Sequence, residues 1–286
     1  MEKTAIFWIR DGVLVDRMHL NPVAFAVAAL EHADAKQATR TDFTELVNFA
    51  FATSGISCTD KMQKFNSERF LLISYVPAAA EYYSKLATDA AVHCHYFDNV
   101  CTLLQRLKHA GALNFITSAV EQSVLDSWAQ SAQGSLLAPQ LTEILGQRKN
   151  FNKGKDHYVY VRERYGIDRI IYVADAMAEI ANGAQFSKQF NIVPVGFAHV
   201  ITPAKVRLGY DLVMKARSEL SPPSNASRNQ FNLVESELAL PDAKSLSHTL
   251  KSAQAADIVN GSSEQIMSNL ADHFEKLGFQ LRSISS

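Results

Sequence analysis

The first apolar run of the chain, from Ala5 to Ile9, is short and continuous, and Asp11-Gly12 follows it. Runs of this kind are typical of strands that are buried on both faces of a parallel sheet. From residue 16 to about residue 90 the apolar positions recur every third or fourth residue instead, and no convincing strand intervenes. The pattern predicts one buried strand followed by a long helical segment, with helices at residues 23–32, 43–52 and 68–86.

Beyond residue 90, strand patterns alternate with helix patterns. Gly111 and Gly166 each follow a predicted helix, and glycine is frequent directly after a helix end. This alternation is typical of βαβ units and predicts a doubly wound parallel sheet with helices on both faces. The predicted strands are residues 113–117, 169–173 and 192–197, and the predicted helices are residues 99–110, 120–131, 155–165 and 177–190.

The last quarter of the chain begins with residues 220–232, which are rich in Ser, Pro and Asn and predict an exposed loop. A strand is predicted at residues 233–240 and a helix at 242–252. A terminal helix is predicted at 262–277, with Ser263 as its N-cap.

These patterns together predict two domains. We expect an α/β core of residues 1–15 and 91–286, with a loop-rich insertion near 201–232 and a C-terminal helix. We expect residues 16–90 to form an inserted α-helical cap.

Composition excludes several classes of protein. With 286 residues, 47% of them hydrophobic and 20% charged, the chain can bury a core. A net charge of −1 does not favour nucleic acid or an anionic membrane as a partner, and no apolar stretch is long enough to span a bilayer. The three cysteines have no C-x-x-C spacing, which fits a reducing compartment. We therefore expect a cytoplasmic protein whose partner is a small molecule or another protein.

Polar residues follow the predicted strands at Asp11, Thr117 and Asp175. Because ligands of doubly wound sheets collect at the carboxyl ends of the strands, these residues are expected to line one crevice. Gathered carboxylates suit a hard cation such as Mg²⁺, and Lys153 or Lys155 would offset charge on a phosphoryl group. Each residue also has a structural interpretation, as a turn, a helix cap or a solvated charge.

The segment from Phe7 to Asp16 (Phe-Trp-Ile-Arg-Asp-Gly-Val-Leu-Val-Asp) resembles the first motif of the haloacid dehalogenase superfamily, a hydrophobic strand followed by Asp-x-Asp-Gly. Ile116-Thr117-Ser118 resembles its second motif, Lys153-Gly154-Lys155 its third, and Val173-Ala174-Asp175 its fourth, with a further acid at Glu179. The motifs occur in the family's order, and the helical residues 16–90 lie where its phosphatase and phosphoglucomutase-like branch inserts a helical cap. The resemblance covers residues 4 to about 200.

The resemblance also implies roles for individual residues. Asp11 would act as acid and base, while Thr117 and either Lys153 or Lys155 would hold the phosphoryl group. Asp175, Glu179 and the Asp11 backbone carbonyl would hold Mg²⁺, and Gly12 and Ser118 would bind substrate.

Ile9 occupies the position of the family's nucleophilic aspartate, which forms the aspartyl-phosphate and ligates the metal. Isoleucine has no lone pair, and loss of a covalent nucleophile typically lowers turnover by about 10⁶-fold. We therefore expect a protein without ordinary phosphatase activity, with weak Mg²⁺ binding and a cleft for a ligand or partner. Strand alternation places Trp8 in the core and points Arg10 away from the face that carries Ile9 and Asp11.

Two alternatives stay open. The first is an enzyme in which Asp11, with Lys153 or Asp175, performs acid–base chemistry on a small substrate, phosphorylated or not. The second is a phosphohydrolase that uses Asp16 or Asp11 as its nucleophile.

Overall fold

The computed structural model describes residues 2–34, 43–54, 57–69, 73, 75–220 and 231–281. Contacts within the chain divide it into two compact units. We call the first the α/β unit; it consists of Met1–Asp16, Tyr96–Val200 and Asp242–Ser286. We call the second the helical unit; it consists of Arg17–His95 and Ile201–Pro241.

The α/β unit contains a six-stranded sheet in the order β3-β2-β1-β4-β5-β6, in which every pairing is parallel. The first strand therefore lies between β2 and β4, where the direction of the strand order reverses. Such a reversal opens a crevice at the carboxyl edge of the sheet. The strands are β1 Thr4–Trp8, β2 Leu113–Glu121, β3 Glu143–Gln147, β4 Arg169–Ala174, β5 Ile192–His199 and β6 Asp257–Gly261.

Helices cover both faces of this sheet. None of the helices among the described residues is both long enough and apolar enough to cross a membrane. The described helices are α1 Leu20–Glu31, α2 Phe43–Ala52, α3 Cys58–Arg69, α4 Val76–Ala91, α5 Val100–His109, α6 Gln122–Gln130, α7 Gly134–Leu137, α8 Lys155–Tyr165, α9 Met177–Gln185, α10 Ser187–Phe190, α11 Pro203–Glu219, α12 Ala243–Ser252 and α13 Ile266–Lys276.

The alternation of side chains along β1 divides the core into two clusters. Ile6 and Trp8 belong to one cluster, with side chains of α5 and α13. Ala5 and Phe7 belong to the other, with side chains of α8, α9 and α12. The continuous apolar run Ala5–Trp8 of β1 is thus explained by burial on both faces, and the predicted doubly wound sheet is confirmed.

The edge strands β3 and β6 were not predicted. Each has only two adjacent apolar side chains, in the sequences Glu-Ile-Leu-Gly-Gln and Asp-Ile-Val-Asn-Gly. Edge strands have only one neighbouring strand and keep more polar side chains than central strands do. Their apolar signal is therefore too short to separate from a loop.

In the helical unit, α1 is buried along almost its whole surface and is contacted by α2, α4 and α11. One of the predicted helices is wrong here. Instead of one helix at residues 68–86, α3 ends at Arg69 and α4 begins at Val76. Pro77 explains the new start, because proline suits the first turn of a helix and disrupts its interior.

The predicted loop-rich insertion near 201–232 is also corrected, since residues 203–219 form α11 and group with the helical unit. The side chain of Thr202 accepts a hydrogen bond from Lys205 N at 3.3 Å, and Pro203 follows it. Thr-Pro is a helix-start signal that explains this element. The Ser-Pro-Pro-Ser-Asn segment at 221–225 lies outside the described residues.

Two predictions for the C-terminal part differ from the structure. Residues 233–240 contain a single 3₁₀ turn, Glu235–Glu237, instead of a strand. The terminal helix begins at Ile266 with Gln265 as its N-cap, so Ser263 is not the cap. Ser263 instead bonds to two distant residues of the α/β unit.

Candidate functional site

The predicted site residues of β1, β2 and β4 come together at the carboxyl edge of the sheet. Trp8 pairs with Ile116 on one side and with Val173 on the other, so the next residues of all three strands lie at one level. These residues include Ile9 and Thr117. The Ile9 amide also donates to Val173 O at 3.3 Å, which continues the ladder one residue beyond β1.

Ile9 is half-buried and contacts both core clusters. The position that the resemblance assigns to a nucleophile therefore carries a side chain that is anchored by apolar packing. Trp8 is fully buried, as predicted, and its indole N–H donates to Asn114 Oδ1 at 3.1 Å.

Arg10 does not point away from Asp11, contrary to the strand-alternation prediction. Its Nε and Nη2 donate to the two carboxylate oxygens of Asp11 at 2.9 and 3.1 Å. The guanidinium also lies 5.2 Å from the centre of the Trp128 ring. The prediction failed because β1 ends at Trp8, so the alternation of a strand no longer applies at residue 10.

A hydrogen bond from the Gly12 amide closes the turn that follows β1. This amide donates to Val15 O at 2.9 Å, and the amides of Leu14 and Val15 both donate to Arg10 O. Gly12 has φ 92°, a conformation that favours glycine. This bond gives Gly12 a structural role, and its predicted role in binding substrate stays a prediction.

Ser118 lies where β2 leaves its regular pairing with β3. Its hydroxyl accepts a hydrogen bond from Val120 N at 3.1 Å. The side-chain amide of Gln122 bridges the resulting gap, because it donates to Ile144 O and accepts from Gly146 N at 3.0 and 2.7 Å. The Ser118 hydroxyl therefore stabilises the irregular part of β2, where its register with β3 shifts.

Thr117 forms a buried hydrogen bond with a residue that the sequence interpretation did not single out. Its Oγ1 lies 2.7 Å from His157 Nδ1, and His157 is fully buried against the Phe151 ring. Burial disfavours the charged imidazolium and lowers the pKa of His157 to about 4. A neutral imidazole thus fixes the position of the Thr117 hydroxyl.

Lys153, not Lys155, is the lysine that contacts the other site residues. Its Nζ donates to Glu179 Oε1, and the other oxygen of Glu179 accepts from the Tyr172 hydroxyl at 2.5 Å. Lys155 is the exposed first residue of α8. Burial and the Glu179 charge raise the pKa of Tyr172, so the phenol stays protonated and keeps donating.

Asp175 follows β4 and experiences the charges of the other site residues. Loss of solvent around its carboxyl raises its pKa to about 7; Glu179 and Asp11 add to the rise, and Lys153 opposes it. Four groups from three separate segments therefore share one electrostatic environment.

The carboxylates present do not fit a magnesium site as they are arranged. Asp11 is held by Arg10, and both oxygens of Glu179 accept hydrogen bonds from Lys153 and Tyr172. Within the described ranges no group of three or more His, Cys, Asp or Glu side chains is arranged to hold a metal ion. Hard cations need several oxygen ligands at once, and here two of the three carboxylates are already neutralised by cations.

Asp16, one of the two alternative nucleophiles, is buried with 6% of its surface exposed. Its Oδ2 accepts a hydrogen bond from the Ser263 hydroxyl at 3.0 Å, and Ser263 Oγ lies 2.9 Å from His199 Nε2. This chain of bonds connects three distant segments of the α/β unit. A carboxylate in this position serves the structure of the unit and is poorly placed to attack a substrate.

Comparison with known proteins gives matches among solved structures alone. No described protein family matches the sequence, and no curated protein is similar to it. A predicted phosphoglycolate phosphatase from Haemophilus somnus 129PT matches with a TM-score of 0.53 and 12% identity, over 94% of this chain and 97% of that one. A predicted phosphatase from Clostridium acetobutylicum matches with a TM-score of 0.53 and 13% identity, over 96% and 99%.

A haloacid dehalogenase-like hydrolase from Streptococcus pneumoniae is similar to the same extent, with a TM-score of 0.52 and 13% identity over 94% of this chain and 98% of that one. Identities this low establish the fold alone. The sheet order, the four motif positions at its carboxyl edge and these neighbours together establish that the chain has the haloacid dehalogenase-like fold of these phosphatases and hydrolases.

Proposed function

We propose that this chain is a haloacid dehalogenase-like protein without ordinary phosphatase activity, whose crevice binds a small-molecule ligand or a protein partner in the cytoplasm. The observation that carries the proposal is Ile9, an apolar side chain packed against both core clusters where the fold's nucleophile would stand. A hydrocarbon side chain can neither attack phosphorus nor hold a cation. The fold by itself does not supply the activity.

The remaining polar groups support binding of an anionic ligand. The Thr117 hydroxyl, the Lys153 ammonium and the Arg10 guanidinium all belong to the carboxyl edge of the sheet. Donors and cations of these types are the usual partners of a phosphoryl group. Two of the similar structures are named as phosphatases, which supports phosphorylated molecules as the first ligands to test.

A second candidate is an enzyme in which Asp11 performs acid–base chemistry. The observation in its favour is that 32% of the Asp11 side chain is exposed at the crevice. The paired contact with Arg10 argues against it, because Asp11 would have to leave the guanidinium to take a proton from a substrate.

The test is to restore the missing carboxylate. Wild type should hydrolyse phosphate esters no faster than buffer, whereas Ile9→Asp should gain hydrolysis that requires Mg²⁺, because one substitution supplies both an attacking oxygen and a metal ligand. The gain should be absent in the isosteric control Ile9→Asn and in Ile9→Asp/Asp175→Ala. Calorimetry should show weak Mg²⁺ binding by wild type.

The new carboxylate is partly buried and costs stability until a cation neutralises it, so the unfolding midpoint of each variant should be measured as well. Clear wild-type hydrolysis would contradict the proposal. If wild type and a folded Ile9→Asp are both inactive, the binding role remains and the site has diverged at more than this residue.

A further inference from the structure

The guanidinium of Arg10 is held in one place by two independent contacts. The two hydrogen bonds to Asp11 fix its edge, and the Trp128 ring, 5.2 Å away, lies against its face. Only 14% of the Arg10 side chain is exposed. An arginine that is stacked and paired in this way has already lost most of its rotamer freedom, so binding a ligand adds little further cost.

Asp11 binds Arg10 in the same geometry that a phosphate would use. A guanidinium edge forms two parallel N–H···O bonds with a carboxylate or with a phosphate. The Asp11 side chain is more exposed than that of Arg10, 32% against 14%, so the carboxylate is the more accessible member of the pair. Displacing it would present the fork of Arg10 to a ligand in the crevice.

We propose that the crevice binds a phosphate group without a metal ion, through Arg10, and that Asp11 occupies Arg10 until the ligand displaces it. This inference rests on the proposed function and names its ligand chemistry, a phosphate monoester or inorganic phosphate. The carboxylates of Asp11 and Glu179 are already paired with side-chain cations and cannot hold a metal ion as they stand. Arg10 therefore supplies the positive charge that the phosphate needs.

The direction of one variant's effect distinguishes this site from a metal site. In Asp11→Asn the competing charge is absent, so phosphate should bind more tightly than to wild type. The gain should be about fivefold, which corresponds to a partly exposed ion pair worth about 1 kcal/mol. A metal-dependent site that uses Asp11 as a polar ligand would instead bind more weakly after this change.

The experiment is calorimetric titration with inorganic phosphate in buffer that contains EDTA. Wild type should bind, Asp11→Asn should bind more tightly, and Arg10→Gln should lose at least tenfold in affinity. Arg10→Lys keeps the charge without the fork and should fall between Arg10→Gln and wild type. Glu235→Gln is the matched control. It removes the carboxylate from another arginine, Arg207, which also lies against an aromatic ring, Tyr210. This variant should bind phosphate with the same affinity as wild type.

Circular dichroism and the unfolding midpoint establish that each variant is folded. The inference would be overturned if folded Arg10→Lys and Arg10→Gln bound phosphate with the same affinity as wild type. It would also be overturned if Asp11→Asn bound phosphate more weakly than wild type, or if neither wild type nor Asp11→Asn bound phosphate. No ester is present in this titration. A failure of the phosphate titration therefore leaves the hydrolysis test of the proposed function unaffected. A failure of the hydrolysis test likewise leaves the titration unaffected.

Discussion

At the scale of single residues, the site is defined by which partners its polar groups already have. Asp11, Lys153 and Glu179 are all bound to neighbours of opposite charge, and Thr117 is bound to a buried imidazole. The motifs predicted that these residues would share one crevice, and the register of the sheet brings the ends of β1, β2 and β4 to one level. The motifs did not predict the pairings, because a pairing depends on side chains such as Tyr172 that come from outside the motifs.

His157 should make the stability of the protein depend on pH. Its pKa is about 4 in the folded chain, against about 6.5 for an unfolded histidine. Between these values the unfolded chain binds a proton that the folded chain does not, so the free energy of unfolding should fall as pH falls from 6.5 towards 4. The full loss from this residue is about 3 kcal/mol.

Urea denaturation of wild type and His157→Asn at pH 7 and pH 4.5 tests this expectation. The substitution keeps a hydrogen-bonding group near Thr117 and removes the titrating ring, so the variant should lose less stability than wild type. His109→Asn, which changes an exposed histidine of α5, is the control and should behave like wild type. Identical losses in wild type and His157→Asn would show that His157 does not carry the effect.

At the scale of elements, the helices and central strands of the α/β unit were predictable, and the edges were not. The helix α8 has the predicted bounds, because it begins after a loop and ends at Gly166, which has φ 63°. The edge strand β3 has only two apolar side chains, Ile144 and Leu145, between residues that are typical of loops, so its sequence resembles a loop. Apolar periodicity measures burial, and elements that are buried on one side give a weak signal.

The weakness of the apolar signal also explains why α11 was not predicted. Charged residues interrupt its apolar positions and suggest a solvated segment. One of them, Arg217, donates to Glu31 Oε1 at 2.5 Å, and the Glu31 side chain is fully buried in α1. A buried ion pair between distant helices cannot be recognised from either helix alone.

Removing Arg217 should destabilise the helical unit, because it leaves the buried charge of Glu31 without a partner. We expect Arg217→Met to lower the free energy of unfolding by about 3 kcal/mol, and Arg217→Met/Glu31→Leu to recover most of it. Lys85→Met breaks the exposed Lys85–Glu81 pair of α4 and should leave the free energy of unfolding close to that of wild type, because water screens exposed ion pairs. Denaturation by urea measures all three, and a double variant no more stable than Arg217→Met would refute the assigned cause.

At the scale of the whole molecule, the C-terminal segment Asp242–Ser286 is an integral part of the α/β unit. It adds β6 to the sheet through pairing with β5, and α13 contributes to the core cluster that contains Trp8. Its Ser263 also joins Asp16 and His199, each of which lies next to a position where the chain passes from one unit to the other. The resemblance, which covers residues 4 to about 200, gave no role for this segment.

The central claim is that this fold, with Ile9 in place of the attacking carboxylate, does not hydrolyse phosphate esters. The most direct test is the rate of p-nitrophenyl phosphate hydrolysis with Mg²⁺ and with EDTA, for wild type and Asp11→Asn side by side. We predict that both proteins match the buffer rate in both conditions. Wild-type hydrolysis that requires Mg²⁺ and disappears in Asp11→Asn would contradict the account and establish Asp11 as a catalytic acid, base or nucleophile.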